Sequence, residues 1–143
     1  MDQALGHFRR YEENDLRGTT TGIDTAREIL GGDIVFKYKG VFAFAEAFYR
    51  DNDPEVGLDT ESEGVHYQVG YLFPNKQFEA ALRFAQHDPN VDVANDAQTE
   101  KGVAGSWYFN KHAYKVQGDY RQIENNKTKQ TNDEFRLQLQ FIF

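Results

Sequence analysis

The sequence predicts an all-β protein, an antiparallel up-and-down transmembrane β-barrel that forms one domain over residues 1–143. Three observations lead to this prediction. Apolar and polar residues alternate with period two along most of the chain, as in strands with one apolar and one polar face. Tight turns alternate with long polar connections, and the last stretch, "DEFRLQLQFIF", alternates up to a terminal phenylalanine.

About eight strands are predicted from this alternation. A weak strand lies near residues 5–12, and the last one runs over 133–143. Five internal segments alternate clearly: 33–39, 64–73, 77–86, 102–110 and 112–122. The segment 41–50 also alternates, but its faces are harder to assign because three phenylalanines share a side with an acid: Phe42, Phe44, Phe48 and Glu46.

The connections predict how the strands are arranged. Tight turns are expected at 38–40, 74–76 and 110–112, and long acidic or polar loops at 13–31, 51–63, 87–100 and 123–132. Short turns join only antiparallel neighbours, so all tight turns fall at one end of the meander. Outer-membrane barrels show this asymmetry. Within the first loop, residues 22–32 are predicted as a short helix that begins at Asp24 and ends at Gly31 or Gly32.

The composition excludes several classes of protein. The mean hydropathy is −0.75, and no apolar run approaches the ~18 residues of a membrane-spanning helix, so helical spans are excluded. A membrane β-barrel is compatible with this composition, because half of the residues in each of its strands are polar. The absence of cysteine excludes disulfides and thiolate metal sites. The net charge of −7 argues against a nucleic-acid partner. The start, "MDQALGHFRR", has no apolar signal region, so an exported protein is expected to be a mature form or a piece of one.

The loop asymmetry and the terminal strand favour an apolar face that contacts lipid. The predicted lipid-facing residues are Phe78, Leu82, Phe84, Trp107, Leu137, Leu139 and Phe141. Phe143 is expected at the periplasmic rim, where it would serve as the C-terminal signal that the outer-membrane assembly machinery reads. The predicted location is the bacterial outer membrane, with the lipid bilayer and lipopolysaccharide as partners.

The opposite face is predicted to line the pore. Its expected residues are Lys37, Lys39, Arg83, Lys115, Arg121, Arg136, Glu79 and Asp119. The six basic and two acidic side chains leave an excess of four positive charges, which would favour anions in a lumen. The alternative is that some of them form closed pairs, such as Glu79 with Arg83, as inside small eight-stranded barrels.

Several ordered blocks resemble the C-terminal half of the phosphate-selective porin O and P family. They are "GGDIVFKYKGVFAFAEAFYR", "YQVGYLFPNKQFEAALRFAQHDPN", "EKGVAGSWYFNKHAYKVQGDYRQ" and "RLQLQFIF", within residues 31–143. The resemblance implies an anion-passing outer-membrane channel of about sixteen strands, commonly a homotrimer. Eight strands would form half of such a barrel, with the N-terminal half missing. Alternatively, they would form a complete small barrel that is too narrow to conduct. The basic ladder of the phosphate-selective members has no residue-by-residue match here, so phosphate selectivity is not carried over to this chain.

Other chemistry finds little support in the sequence. The stretch "DNDPEVGLDTES" has Val56 and Ser62 where a calcium loop needs glycine and glutamate, so a solvated acidic loop is predicted. The four histidines lack ligand spacing, no catalytic set is found, and neither an enzyme nor a cofactor is expected. Three functions stay open: a porin or part of one, a non-conducting structural barrel or subunit of an envelope complex, and a soluble β-barrel carrier of apolar ligands.

Overall fold

A computed structural model describes residues 3–15, 25–54, 56–109 and 114–141. These residues form one antiparallel sheet of eight strands in sequence order. The strands are β1 Gln3–Asp15, β2 Thr25–Tyr38, β3 Val41–Pro54, β4 Thr60–Leu72, β5 Phe78–Asp88, β6 Gln98–Phe109, β7 Tyr114–Asn125 and β8 Gln130–Phe141. The predicted all-β, up-and-down architecture is confirmed. The sheet is open, with β1 at one edge and β8 at the other.

Each strand pairs with the next along almost its whole length, which sets the two faces of the sheet. One row of paired residues runs Gln68, Arg83, Gly102, Arg121 and Glu134, and the next runs Val69, Leu82, Val103, Tyr120 and Phe135. Because directly paired residues share a face and successive residues alternate, every strand contributes to both. We call the face with the first row the polar face and the face with the second row the apolar face.

The β2–β3 turn shows why residues 38–40 form a tight connection. Lys39 and Gly40 have φ values of 45° and 87°, the positive pair that a two-residue hairpin turn needs. A Cβ on Gly40 would lie 2.6 Å from the carbonyl oxygen of Leu72, so glycine is required there by both space and conformation.

The predicted helix at residues 22–32 is wrong over its described part. Residues from Thr25 onward belong to β2 and pair with β3, with Gly31 opposite Phe48 and Gly32 opposite Ala47. The capping signals are local, whereas the sheet supplies hydrogen-bonding neighbours on both sides of the segment. Tertiary pairing therefore overrides the helix signal. Asp24 lies outside the described residues.

The long loops are shorter than predicted because the strands extend into them. The stretches 51–54, 60–63 and 98–100 are strand, and only residues 126–129 separate β7 from β8. The strict alternation of long and short connections is therefore weaker than expected. Polar residues at strand ends resemble loop residues in sequence, but backbone hydrogen bonds across the sheet stabilise them as strand.

The polar face is the more enclosed side of the sheet. The buried strand residues Ser62, Gly64, Gly70 and Ser106 all lie on it. The apolar face is exposed, and Ala97 is the one buried hydrophobic residue in the described part of the chain. The described part of the sheet thus has no apolar core of its own. Among the described residues there is no helix with the length and apolar composition of a membrane span.

Candidate functional site

The apolar face carries a continuous band of exposed apolar side chains. Leu82 and Leu137 are 59% and 65% exposed, and Phe84, which stacks on Tyr67, is half-buried. The other predicted lipid-facing residues, also exposed on this face, are Phe78, Trp107, Leu139 and Phe141. The band measures about 20 Å along β8 and about 26 Å along β2 at the rise of an extended strand.

Aromatic rings border this band on the side of the tight turns. Phe78 stacks on Trp107 at 5.5 Å between ring centroids, and Trp107 lies 4.0 Å from Phe109. Tyr114 meets Phe141 edge-on at 5.7 Å. Cross-strand aromatic pairs stabilise a sheet, and a row of them on an exposed face also forms a ring-rich border.

Acidic side chains replace the apolar ones at the other end of the same face. They follow directly after the band on β2, β3, β4 and β8 and one position later on β5 and β7, and they include Glu28, Asp51, Asp53, Glu61, Glu63, Asp88, Glu124 and Asp133. The acidic charge of the protein is therefore concentrated at the loop end of the sheet. Tyr120 donates a hydrogen bond to Asp133 Oδ1 at 2.8 Å across the boundary between the two zones.

The polar face holds a ladder of ion pairs across β5 to β8. Arg83 Nε lies 3.2 Å from Glu100 Oε1, and Arg121 Nη1 lies 3.3 Å from Glu100 Oε2. Arg121 also pairs with Glu134 on the edge strand. The side chains of Arg121 and Glu100 are 17% and 18% exposed, so the centre of the ladder is shielded from solvent.

Further predicted pore residues make cross-strand contacts on the same face. Arg136 Nε donates to Asp119 Oδ2 at 2.9 Å. Glu79 Oε2 accepts a hydrogen bond from the Tyr108 hydroxyl at 3.1 Å, and the Lys115 ammonium lies 5.4 Å from the centroid of the Tyr108 ring. The suggested pairing of Glu79 with Arg83 within β5 is therefore replaced by contacts to neighbouring strands.

Two predicted pore lysines differ in their positions. Lys37 is an exposed residue of β2 on the polar face, opposite Phe42. Lys39 lies in the turn, and its ammonium is 5.1 Å from the centroid of the Tyr38 ring, which belongs to the apolar face. Lys39 is thus placed at the rim of the sheet rather than along the strand.

The register changes the expected charge of the polar face. Over β2 to β8 this face carries seven basic and six acidic side chains, excluding histidine. The additions to the predicted set are Arg27, Arg50, Asp33, Glu46, Glu100 and Glu134. The predicted excess of four positive charges is wrong. The count from sequence left out acids that lie in a predicted loop, at strand ends or in the strand whose faces were ambiguous.

Phenylalanine side chains of β3 form an unexpected apolar feature on the polar face. The Phe44 ring meets the His66 ring edge-on at 5.3 Å between centroids, and the Phe48 ring lies 6.0 Å from the His87 ring. Phe48 lies over Gly64, where a Cβ would come within 2.3 Å of its Cζ atom. The sequence signal for this cluster was the ambiguous face of residues 41–50.

Besides Asp24, two further predictions concern residues that the structure does not describe. Phe143 and the third tight turn, at 110–112, lie outside the described residues. Within the described ranges, no group of three or more histidine, aspartate or glutamate side chains is arranged so that it could hold a metal ion.

Comparison with known proteins gives no relative for this fold. No protein-family model matches the chain, and neither a curated protein nor a solved structure matches it. The resemblance to the phosphate-selective porins therefore stays a prediction from sequence.

Proposed function

We propose that this chain forms part of the wall of an outer-membrane β-barrel channel, a porin that gives passive diffusion of small solutes. Its apolar face contacts lipid and its polar face lines the aqueous lumen. The observation that carries the proposal is the exposed apolar band on a sheet whose only buried hydrophobic residue, among those described, is Ala97. A sheet of this size gains too little from such a core to be stable in water, whereas a bilayer supplies the missing apolar surroundings.

The dimensions of the strands support this proposal. They are 11 to 14 residues long, and a tilted strand needs roughly 9–11 residues to cross a bilayer. The apolar band is comparable with the ~25 Å outward band of outer-membrane barrels, and the aromatic border around Trp107 corresponds to one of their interfacial girdles. The acidic end of the sheet would then face the outside.

A closed wall requires partners for the edges of β1 and β8, which are not paired with each other in this sheet. Open edges do not occur in the hydrocarbon region, where every backbone polar group needs a partner. We infer that these edges are paired in the membrane, either with each other in a small barrel or with further strands, of this protein or of another chain, in a larger one.

The revised charge balance points to weak ion selectivity. The basic side chains Arg83, Arg121 and Arg136 are paired with acids of the same wall, so their fields largely cancel. Lys115, which contacts the ring of Tyr108, contributes charge to the lumen more directly. We expect a small anion preference at most and propose no phosphate selectivity.

The second candidate, a non-conducting structural barrel, is favoured by one observation. The ladder of Arg83, Glu100, Arg121 and Glu134 spans four strands and would occupy lumen space in a narrow barrel. A soluble carrier of apolar ligands is less compatible with the structure, because the enclosed face of the sheet is the polar one.

Trp107 offers a direct test of which face meets lipid, because it is the single tryptophan of the chain. After folding into vesicles, we expect quenching of its fluorescence by lipids brominated near the headgroup, since it lies in the aromatic border. The matched control is W107F/Q117W, which moves the tryptophan to the polar face, where quenching should be weak. Equal quenching of both proteins would contradict the assignment of the faces.

Conductance in planar bilayers tests the channel itself. The wild-type protein should conduct, and its reversal potential in a salt gradient should lie near zero. K115Q should shift this potential toward cation preference, whereas K101Q, a change on the apolar face, should leave it unchanged. A folded, membrane-inserted protein without conductance would favour the structural barrel instead.

A further inference from the structure

We propose that the polar face of β3 carries a binding site for organic cations, in which Glu46 supplies the charge and Phe44 and Phe48 supply aromatic faces. The site goes beyond the proposed function, in which the lumen selects only weakly by charge, and it rests on that function because its ligands would reach it through the proposed lumen. Primary and quaternary ammonium compounds are the ligands whose chemistry fits.

The three side chains lie next to one another on one strand face. Phe44, Glu46 and Phe48 alternate with residues of the apolar face, so neighbours in this set are about 7 Å apart along the strand. A carboxylate between two phenyl rings combines an ion pair with cation–π attraction, the combination by which proteins recognise quaternary ammonium groups. A neutral or anionic solute gains little from such a set.

Glu46 has capacity for a ligand that the acids of β5 to β7 on this face lack. Glu100 and Asp119 are engaged by arginines, and Glu79 accepts a hydrogen bond from Tyr108. Glu46 is 48% exposed, and its one ion pair within the described part of the chain is with His66 Nδ1 at 3.9 Å, too long for a hydrogen bond.

The neighbouring strand adds to the negative field at this position. Asp33 of β2 is paired directly with Glu46 in the sheet, so two carboxylates lie opposite each other on the polar face. Like charges in this arrangement destabilise a sheet unless a cation lies nearby. His7 Nδ1 lies 3.6 Å from Asp33 Oδ2, and His66 Nδ1 lies 3.9 Å from Glu46 Oε2.

The rings are held so that they remain open to the lumen side. The Phe48 ring reaches across to Gly64, where the absence of a side chain lets it lie against the sheet, and it is 41% exposed. The Phe44 ring is half-buried and contacts the His66 ring edge-on. A divalent metal is a poorer occupant, since no described group of three acid or histidine side chains has an arrangement that could hold one.

Equilibrium dialysis of labelled choline against the folded protein in detergent tests this site without requiring conduction. We expect weak saturable binding that E46Q reduces about tenfold, the effect of losing a charged partner. F44L and F48L, which keep an apolar side chain but remove the aromatic face, should each weaken binding about two- to five-fold. E79Q, a change in a polar-face carboxylate already engaged by Tyr108, is the matched control and should bind as wild type does.

A neutral probe separates charge recognition from simple apolar docking. The carbon isostere of choline, with a tert-butyl group in place of trimethylammonium, should bind at least about tenfold more weakly, since it lacks the attraction to rings and carboxylate. Equal binding of the isostere would overturn the proposal, as would leucine variants that bind choline like the wild type. If the protein conducts but does not bind choline, the result refutes this inference alone. If it binds choline but does not conduct, the result refutes the channel proposal and leaves the binding site intact.

Discussion

Replacing Gly64 by alanine should destabilise the sheet, because the ring of Phe48 occupies the place of the added methyl group. A Cβ at position 64 would lie 2.3 Å from Phe48 Cζ and 2.4 Å from Cε1. Both distances are far below van der Waals contact, so the ring has to leave its position. Its new position would lose the packing against the backbone of β4.

The magnitude follows from two opposing contributions. A strand with alanine is ordinarily more stable than one with glycine by about 0.5–1 kcal/mol, because the alanine chain has less conformational freedom to lose on folding. Overpacking a filled site costs about 1–3 kcal/mol. We therefore expect G64A to lower the free energy of unfolding by about 0–2.5 kcal/mol, with a central value of about 1 kcal/mol. Gly105 is the matched control: nothing lies within 4 Å of its added Cβ, so only the favourable contribution applies.

Urea titrations of the protein folded in lipid vesicles would measure these free energies, with tryptophan fluorescence and circular dichroism as independent probes of one transition. In a F48A background the ring is absent, and G64A should become neutral or stabilising. The reasoning is refuted if G64A and G105A change stability equally, or if the penalty of G64A persists after Phe48 is removed.

Three further predictions use the same titration. S62A should cost about 1–3 kcal/mol, because the fully buried Ser62 hydroxyl donates to the Pro89 carbonyl at 2.8 Å and accepts from Arg50; an unchanged midpoint would contradict this. R121M should destabilise more than R136M, since Arg121 is largely shielded and contacts two carboxylates whereas Arg136 is 56% exposed; the reverse order would refute it. G40A should lower the free energy of unfolding by at least about 1–2 kcal/mol, because φ is 87° at this position. An unchanged free energy of unfolding would disprove that the turn requires glycine.

The strand count and the composition of the two faces could be predicted from sequence because they depend on local geometry. Successive side chains of a strand point to opposite sides, so alternation such as Phe78, Ala80, Leu82 and Phe84 defines a face before any partner is known. Turn chemistry is also local, as Lys39 and Gly40 show.

The strand ends, the ion-pair partners and the packing of the inner phenylalanines were decided by the tertiary structure. Glu100 was assigned to a loop and Arg27 to a helix, because polar residues are solvated equally well in either state and carry no periodic signal. Their place on the polar face follows from pairing with neighbouring strands. The same holds for Phe48, whose position depends on a glycine of the adjacent strand, Gly64. Sequence alone determined the alternation within each strand, whereas the register between strands, set by cross-strand hydrogen bonds and side-chain fit, determined which residues meet.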